Sequence, residues 1–282
     1  MNQTGPRSPK PLRNWADLGP RLASAFVLIP ITAITLWIGG IVFGLVVGLV
    51  FAGAYREYET MLLRAPLPPA SWALVGLMAL SGPVFVLAGL WGALILVAIM
   101  LVVALFAGAQ ERGWRLFGTI FTAAVIIAIL SLRGDTLDGV FAGIYFATVV
   151  WMTDSAAFFT GRQIGGEKLA PFISPSKTWS GALGGLLLGS IAGTVAWTLL
   201  TDSPLWIGFL LSAATSLVGQ AGDLTESAIK RRYRIKDSGD IIPGHGGLMD
   251  RLDSMSLAIF AVVLVGLLHG GADNIAAGLL RW

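Results

Sequence analysis

Cysteine is absent from all 282 residues, which excludes a disulfide framework, cysteine-ligated zinc, an iron–sulfur cluster and a thiol nucleophile. The absence says nothing about redox compartment. Charge is also scarce: 12% of residues are charged against 55% hydrophobic. A soluble fold of this size would lack the polar side chains to cover its surface. The two soluble domains that such a length allows, at about 150 residues each, are therefore excluded. A mean hydropathy of +0.78 points instead to an integral membrane protein. The net charge is only +3, but the charges are bunched into short segments, so their positions carry more information than their sum.

A membrane-spanning helix needs about 20 mostly apolar residues. Turn residues and charges divide the chain into such stretches near 22–39, 41–55, 72–88, 90–107, 116–132, 138–158, 180–200, 204–222 and 252–270. We expect an all-α, polytopic membrane protein with about nine transmembrane helices. The apolar runs are continuous, unlike the alternating strands of a membrane β-barrel. The second stretch extends through Tyr55 toward Met61, tilting or carrying its charges in the headgroup layer, and Gly89 alone separates the third from the fourth, which predicts a tight hairpin there. The basic start before the first apolar run reads as a cytoplasmic flank rather than a signal peptide. With the N-terminus in the cytoplasm, only Arg133 and Arg281 of the 19 Lys and Arg residues fall outside, as the positive-inside rule requires. The expected organisation is a basic cytoplasmic segment 1–21, N-terminal helices over 22–137, and a region 138–282 with polar cytoplasmic loops at 161–179 and 223–251.

Two glycine runs are spaced by four: Gly40, Gly44 and Gly48, and Gly181, Gly185, Gly189 and Gly193. On a helix this spacing clears one face for close helix packing.

The first 150 residues show no polar cluster that reads as a reaction centre. Beyond Trp151 the character changes. Asp154 lies at the cytoplasmic end of an apolar stretch, and a carboxylate there marks an ion, proton or substrate site more often than a structural pair with Arg162 or Lys168. Ser174-Pro175-Ser176-Lys177-Thr178-Trp179 opens a glycine-rich helix. A helix start with a lysine suits an anion, although the Walker A spacing is absent.

The strongest constellation runs from Gln220 to Asp253. Asp223, Glu226 and Ser227 share a helix face. Lys230, Arg231, Arg232, Arg234, Lys236 and Asp237 follow, then Pro243-Gly244-His245-Gly246-Gly247, then Asp250-Arg251-Leu252-Asp253. Carboxylates converging from two helix ends suit Mg²⁺, which takes oxygen ligands and is commonly shared with phosphates. Acids for a metal beside bases for phosphate indicate phosphoryl or nucleotidyl transfer.

The stretch from Ser227 to Asp253 resembles the signature of the phosphatidate cytidylyltransferase (CDP-diglyceride synthase) family. The likeness extends upstream through Gly219–Glu226, Ser174–Trp179, Gly161-Arg162 and Trp151–Asp154, with departures at Ser180 and Phe158. The resemblance implies that CTP and phosphatidic acid give CDP-diacylglycerol and pyrophosphate with Mg²⁺, and with K⁺ as a further candidate cation. It also implies an active site facing the cytoplasm from a bacterial-type inner membrane. Its expected partners are the two substrates and membrane lipid, without nucleic acid, and a homodimer is the candidate assembly. Under it the metal ligands are Asp223, Asp250 and Asp253, with Asp154 and Glu226 as supporting or alternate ligands. Ser176, Lys177, Thr178, Lys230, Arg231 and Lys236 are offered for phosphate oxygens, His245 with Gly246 and Gly247 shapes a loop over the nucleotide, and Arg162, Ser227, Asp237 and Arg251 complete the candidate site. The attacking group is already an anionic phosphate, so no strong general base is needed; neutralising and aligning two polyanions is the task. A CTP-dependent lipid kinase would use similar groups, and a secondary transporter would show matching interrupted helices in both halves. Here the polar groups are confined to the second half.

Overall fold

The computed structural model describes residues 18–239 and 247–282. Among the described residues nine α-helices carry the fold: α1 (Leu18–Ile38), α2 (Gly40–Leu63), α3 (Pro69–Phe106), α4 (Arg112–Arg133), α5 (Leu137–Ile164), α6 (Trp179–Leu200), α7 (Leu205–Arg232), α8 (Asp253–Gly270) and α9 (Ile275–Leu280), the last four following a short hairpin, β1 (Lys168–Ala170) and β2 (Ser174–Thr178). Among the described residues seven helices, α2 to α8, are long and apolar enough to cross a bilayer.

The 38 residues of α3 would span about 57 Å if straight, nearly twice the roughly 30 Å hydrocarbon core. Its two ends nevertheless meet at one carboxylate. Ser71 Oγ donates to Glu59 at 2.7 Å, and Arg115, which donates to the same Glu59 at 3.1 Å, also reaches the Gly108 carbonyl just past the far end. The chain therefore doubles back. The break is Gly89, at φ 64° and ψ −164°, a conformation that a side chain would oppose. The limbs on either side coincide with the two stretches read from the sequence.

Alternating helices place their ends on two faces. At one face lie the C-terminal ends of α2, α5 and α7 and the N-terminal ends of α4, α6 and α8, joined by contacts such as Glu59 with Arg115, Asp154 with Ser254 and Arg231 with the Ile173 carbonyl. At the other, Arg133 caps α1 by donating to the Leu36 carbonyl at 2.6 Å, and Arg281 pairs with Asp138.

The glycine runs pack helices, as the spacing predicts. A methyl group at Gly48 would fall 2.3 Å from the Ala79 carbonyl oxygen, and one at Gly189 would fall 2.2 Å from Thr153 Oγ1. Missing side chains thus set the α2–α3 and α5–α6 spacing. Gly40, with nothing near it, takes no part.

Of the charges of α2, Arg56 is exposed, whereas Glu57 and Glu59 are 4% and 0% exposed and lie inside the protein. Glu59 forms a buried ion pair with Arg115, itself 1% exposed, and takes further bonds from Tyr55 and Ser71. A buried charge persists only when so paired and hydrogen-bonded.

Candidate active site

Helix α7 does not stop where its apolar stretch ends. It continues to Arg232 with Lys230, Arg231 and Arg232 in its last turn, where cations suit the negative end of the helix dipole. The extension projects Asp223, Glu226, Ser227 and Lys230 beyond the apolar layer. Helix α5 likewise runs on to Ile164, and the segment expected as a loop turns back as the β1–β2 hairpin, which delivers Ser176 and Lys177 beside α7. Thr178 ends the hairpin and caps α6, its hydroxyl accepting from Gly181 N at 3.1 Å.

These elements enclose a cavity of about 1160 Å³, lined by Asp154, Arg162, Lys168, Ser176, Lys177, Thr178, Asp223, Lys230, Asp237, Asp250, Arg251 and Asp253 together with Phe158, Gln220 and Leu224. Opposite charges are interleaved in it. Lys177 Nζ lies 2.6 Å from Asp223 Oδ2. Lys230 Nζ lies 2.5 Å from Asp250 Oδ1 and 3.1 Å from Glu226 Oε1. The Glu226 contact is one of charge without hydrogen-bond alignment, and neither carboxylate oxygen of Glu226 has a hydrogen-bond partner among the described residues. Asp250 Oδ2 accepts from the backbone N–H of Ser238 and of Gly247, each at 3.0 Å. Burial alone would raise the Asp250 carboxyl; the Lys230 ammonium and the two N–H groups outweigh it and hold the group below the ordinary carboxylate range. Asp154 accepts from Ser254 Oγ at 2.7 Å and not from Arg162, whose guanidinium lies 5.5 Å from the Phe158 ring centre.

A second cavity of about 410 Å³ lies between α2, α4, α7 and α8. Its lining is mostly apolar, including Phe51, Phe117, Phe121, Ile229, Leu257 and Phe260, but its wall also holds Glu226 and Asp253. Asp253 is thus common to both cavities. At its rim Phe117 is 46% exposed on the outer surface of α4.

The cytidylyltransferase family model matches residues 20–269, nearly the whole described bundle. The chain belongs to the cytidylyltransferase family. It is 34% identical over 272 residues, 93% of this chain and 98% of the relative, to a phosphatidate cytidylyltransferase of Brucella abortus. It is 39% identical over 147 residues, 51% of this chain and 54% of the relative, to one of Bacillus subtilis. A third, of Haemophilus influenzae, is 42% identical over 130 residues, 44% of this chain and 45% of the relative.

Within this cytidylyltransferase-family chain, the residues singled out by sequence separate into groups. Asp154, Arg162, Ser176, Lys177, Thr178, Asp223, Lys230, Asp237, Asp250, Arg251 and Asp253 converge on the polar cavity. Glu226 faces the apolar one, and Ser227 is buried. Arg231 does not line the polar cavity; it donates to the carbonyls of Ile173 at 3.0 Å and Ile235 at 2.9 Å, tying the hairpin to the end of α7. Lys236 is exposed, and Gly247 is buried at the return of the loop. His245 and Gly246 lie outside the described residues.

For a metal, the donors fit in kind. The oxygens are carboxylates, those of Glu226 accept no hydrogen bond among the described residues, and Asp253 lies close enough to Asp223, Glu226 and Asp154 to be repelled by them, an arrangement that a hard cation relieves. The three expected ligands are not gathered, however. Among the described residues no three acidic or histidine side chains converge on one point, and Asp223 and Asp250 each hold a lysine.

Sequence reasoning also found no reaction-centre residue in the first half, whereas Glu57 of α2 reaches the site. Its carboxylate accepts from Ser238 Oγ at 3.0 Å, Leu248 N at 3.0 Å and Met249 N at 2.9 Å. The available signal was the acidic pair Glu57 and Glu59 beside Arg56 at the end of an apolar run.

Proposed function

We propose that this chain transfers the cytidylyl group of CTP to phosphatidic acid, forming CDP-diacylglycerol and pyrophosphate. A phosphate oxygen of the lipid attacks the α-phosphorus of CTP, and the bond from that phosphorus to the β-phosphate bridge breaks. The observation that carries this reading is the shared wall. A polar cavity sized for a nucleotide and an apolar cavity suited to a lipid chain meet at Asp253, so substrates of opposite solubility can bring their phosphates to one place.

Lys177 and Lys230 supply positive charge for the triphosphate, each exchanging its carboxylate for phosphate oxygens as the nucleotide enters. Asp223 and Asp250, freed by that exchange, would hold Mg²⁺ together with Asp253. The ion would supply charge neutralisation at the transferring phosphoryl group. Ser176 and Thr178, at the hairpin's end, line the same cavity and would donate to phosphate.

The polar cavity is assigned to the cytoplasmic side of an inner membrane. The supporting pattern is charge: Arg56, Arg64, Arg112, Arg115, Arg162, Lys168, Lys177, Arg231, Arg234 and Arg251 all sit toward the cavity face, while Arg133 and Arg281 sit at the other.

Purified protein in detergent, given phosphatidic acid, Mg²⁺ and CTP labelled at either the α- or the γ-phosphate, tests the reaction. Cytidylyl transfer moves the α label into lipid and releases pyrophosphate. Transfer of the γ label with release of CDP would replace this reading by a lipid kinase.

A further inference from the structure

We infer that Glu57, in the half of the chain without signature residues, is a positioning residue that holds Ser238 and Gly247–Met249 in register with Asp250. The inference rests on the cytidylyl-transfer reading and concerns the same cavity.

The hydrogen bonds interlock. Ser238 donates its backbone N–H to Asp250 and its hydroxyl to Glu57, each at 3.0 Å. Nine residues on, Gly247 N–H donates to Asp250 at 3.0 Å, and the next two N–H groups, of Leu248 and Met249, donate to Glu57 at 3.0 and 2.9 Å. The donors of Ser238 and of Gly247–Met249 are thus shared between two carboxylates, one at the site and one on α2. The fit is close: a methyl group at Gly247 would fall 2.6 Å from Glu57 Oε2, and one at Gly239 would fall 2.8 Å from Oε1. At 4% exposure Glu57 is also dry, which strengthens each bond. Asp250 depends on this frame, because two of its three partners are N–H groups of the segment that Glu57 anchors.

Geometry makes the carboxylate hard to replace. In Glu57→Gln one position becomes an NH₂ group, and either oxygen site faces a backbone N–H, so a donor opposes a donor. The loop end must shift and carry Asp250 with it.

The test measures CTP binding without lipid, so that no turnover occurs, by titration calorimetry on detergent-solubilised full-length protein. Steady-state kinetics and the Tm accompany it. In Glu57→Gln we expect the Kd for CTP to rise about tenfold or more and kcat to fall by a similar factor, since small misplacements at a site are costly. The KM for phosphatidic acid should stay within about twofold of wild type. Unchanged CTP affinity and kcat would overturn the inference, as would a phosphatidate KM that rises together with that of CTP. If wild-type protein itself fails to bind CTP, the reading of the site fails instead. Should Glu57→Gln not fold, Ser238→Ala decides, since it removes only the hydroxyl: weaker CTP binding supports the inference, and wild-type binding overturns it.

Discussion

Replacing Asp250 by asparagine keeps the size of the side chain and removes its charge. Three interactions change together. Lys230, 2.5 Å away, loses a charge partner; and because an amide has one acceptor oxygen, it cannot serve both that lysine and the N–H groups of Ser238 and Gly247. The pair is largely buried, with side chains 10% and 16% exposed. Breaking such a pair costs about 3–5 kcal/mol, and the oxygen that remains recovers about 0.5–1.5 kcal/mol through the one bond it keeps, so a loss of about 1.5–4.5 kcal/mol in stability is expected near neutral pH. The sign of the pH dependence is fixed. The folded carboxyl titrates below its unfolded value, so its contribution is present at pH 7 and is lost as pH falls through the folded value, below about pH 4. The Tm values of variant and wild type should therefore differ at pH 7 and converge in acid. Turnover, measured as pyrophosphate release well below the variant's Tm, should fall about 100-fold or more, as for loss of a dominant electrostatic contact. Near-normal turnover at saturating Mg²⁺ in folded Asp250→Asn would refute the assignment.

Topology can be read by cysteine labelling, because the chain has none of its own. Phe172→Cys, at the 95% exposed hairpin tip, should resist an impermeant thiol reagent in intact cells, and Asp202→Cys, exposed between α6 and α7, should react; the reverse pattern would invert the bundle. Arg231→Lys cannot bridge the Ile173 and Ile235 carbonyls as the guanidinium does and should lower kcat several-fold, whereas Arg232→Lys, which keeps a cation near Trp114, should cost no more than about 1 kcal/mol; equal effects on activity would reduce the loop to net charge. Gly189→Ala should destabilise by about 1–3 kcal/mol through overpacking against Thr153, while Gly76→Ala, with open space around it, should not; equal Tm values would contradict the close α5–α6 approach.

Much of the helical layout was legible because apolar run length reports directly on a membrane helix. Gly89 was legible as a turn because the run it divides near its middle is about twice as long as one span needs. The hairpin was not: Ser174–Thr178 is polar, contains a proline and borders a helix, so it reads as a helix start, and only pairing with Lys168–Ala170 makes it a strand. Asp223, Lys230 and Asp250 were legible as chemistry because charges clustered beside an apolar layer need partners. What the sequence could not show was which carboxylate each lysine holds, or that Arg231 turns to backbone carbonyls. Glu57 escaped for the opposite reason, since its partners lie more than 180 residues away and are mostly backbone groups, which leave no residue-type pattern.

The Glu59–Arg115 pair has a consequence for biosynthesis. Its members are 56 positions apart, and at about 5–20 residues per second the ribosome delivers the arginine on the order of 3–10 s after the glutamate. Throughout that interval α2 carries a carboxylate that has no countercharge from α4. Glu59 lies within the last turns of α2 and Arg115 in the first turn of α4, so each can wait near the water-facing rim until the other arrives. The α2–α4 unit can then close around a charge that neither helix could bury alone.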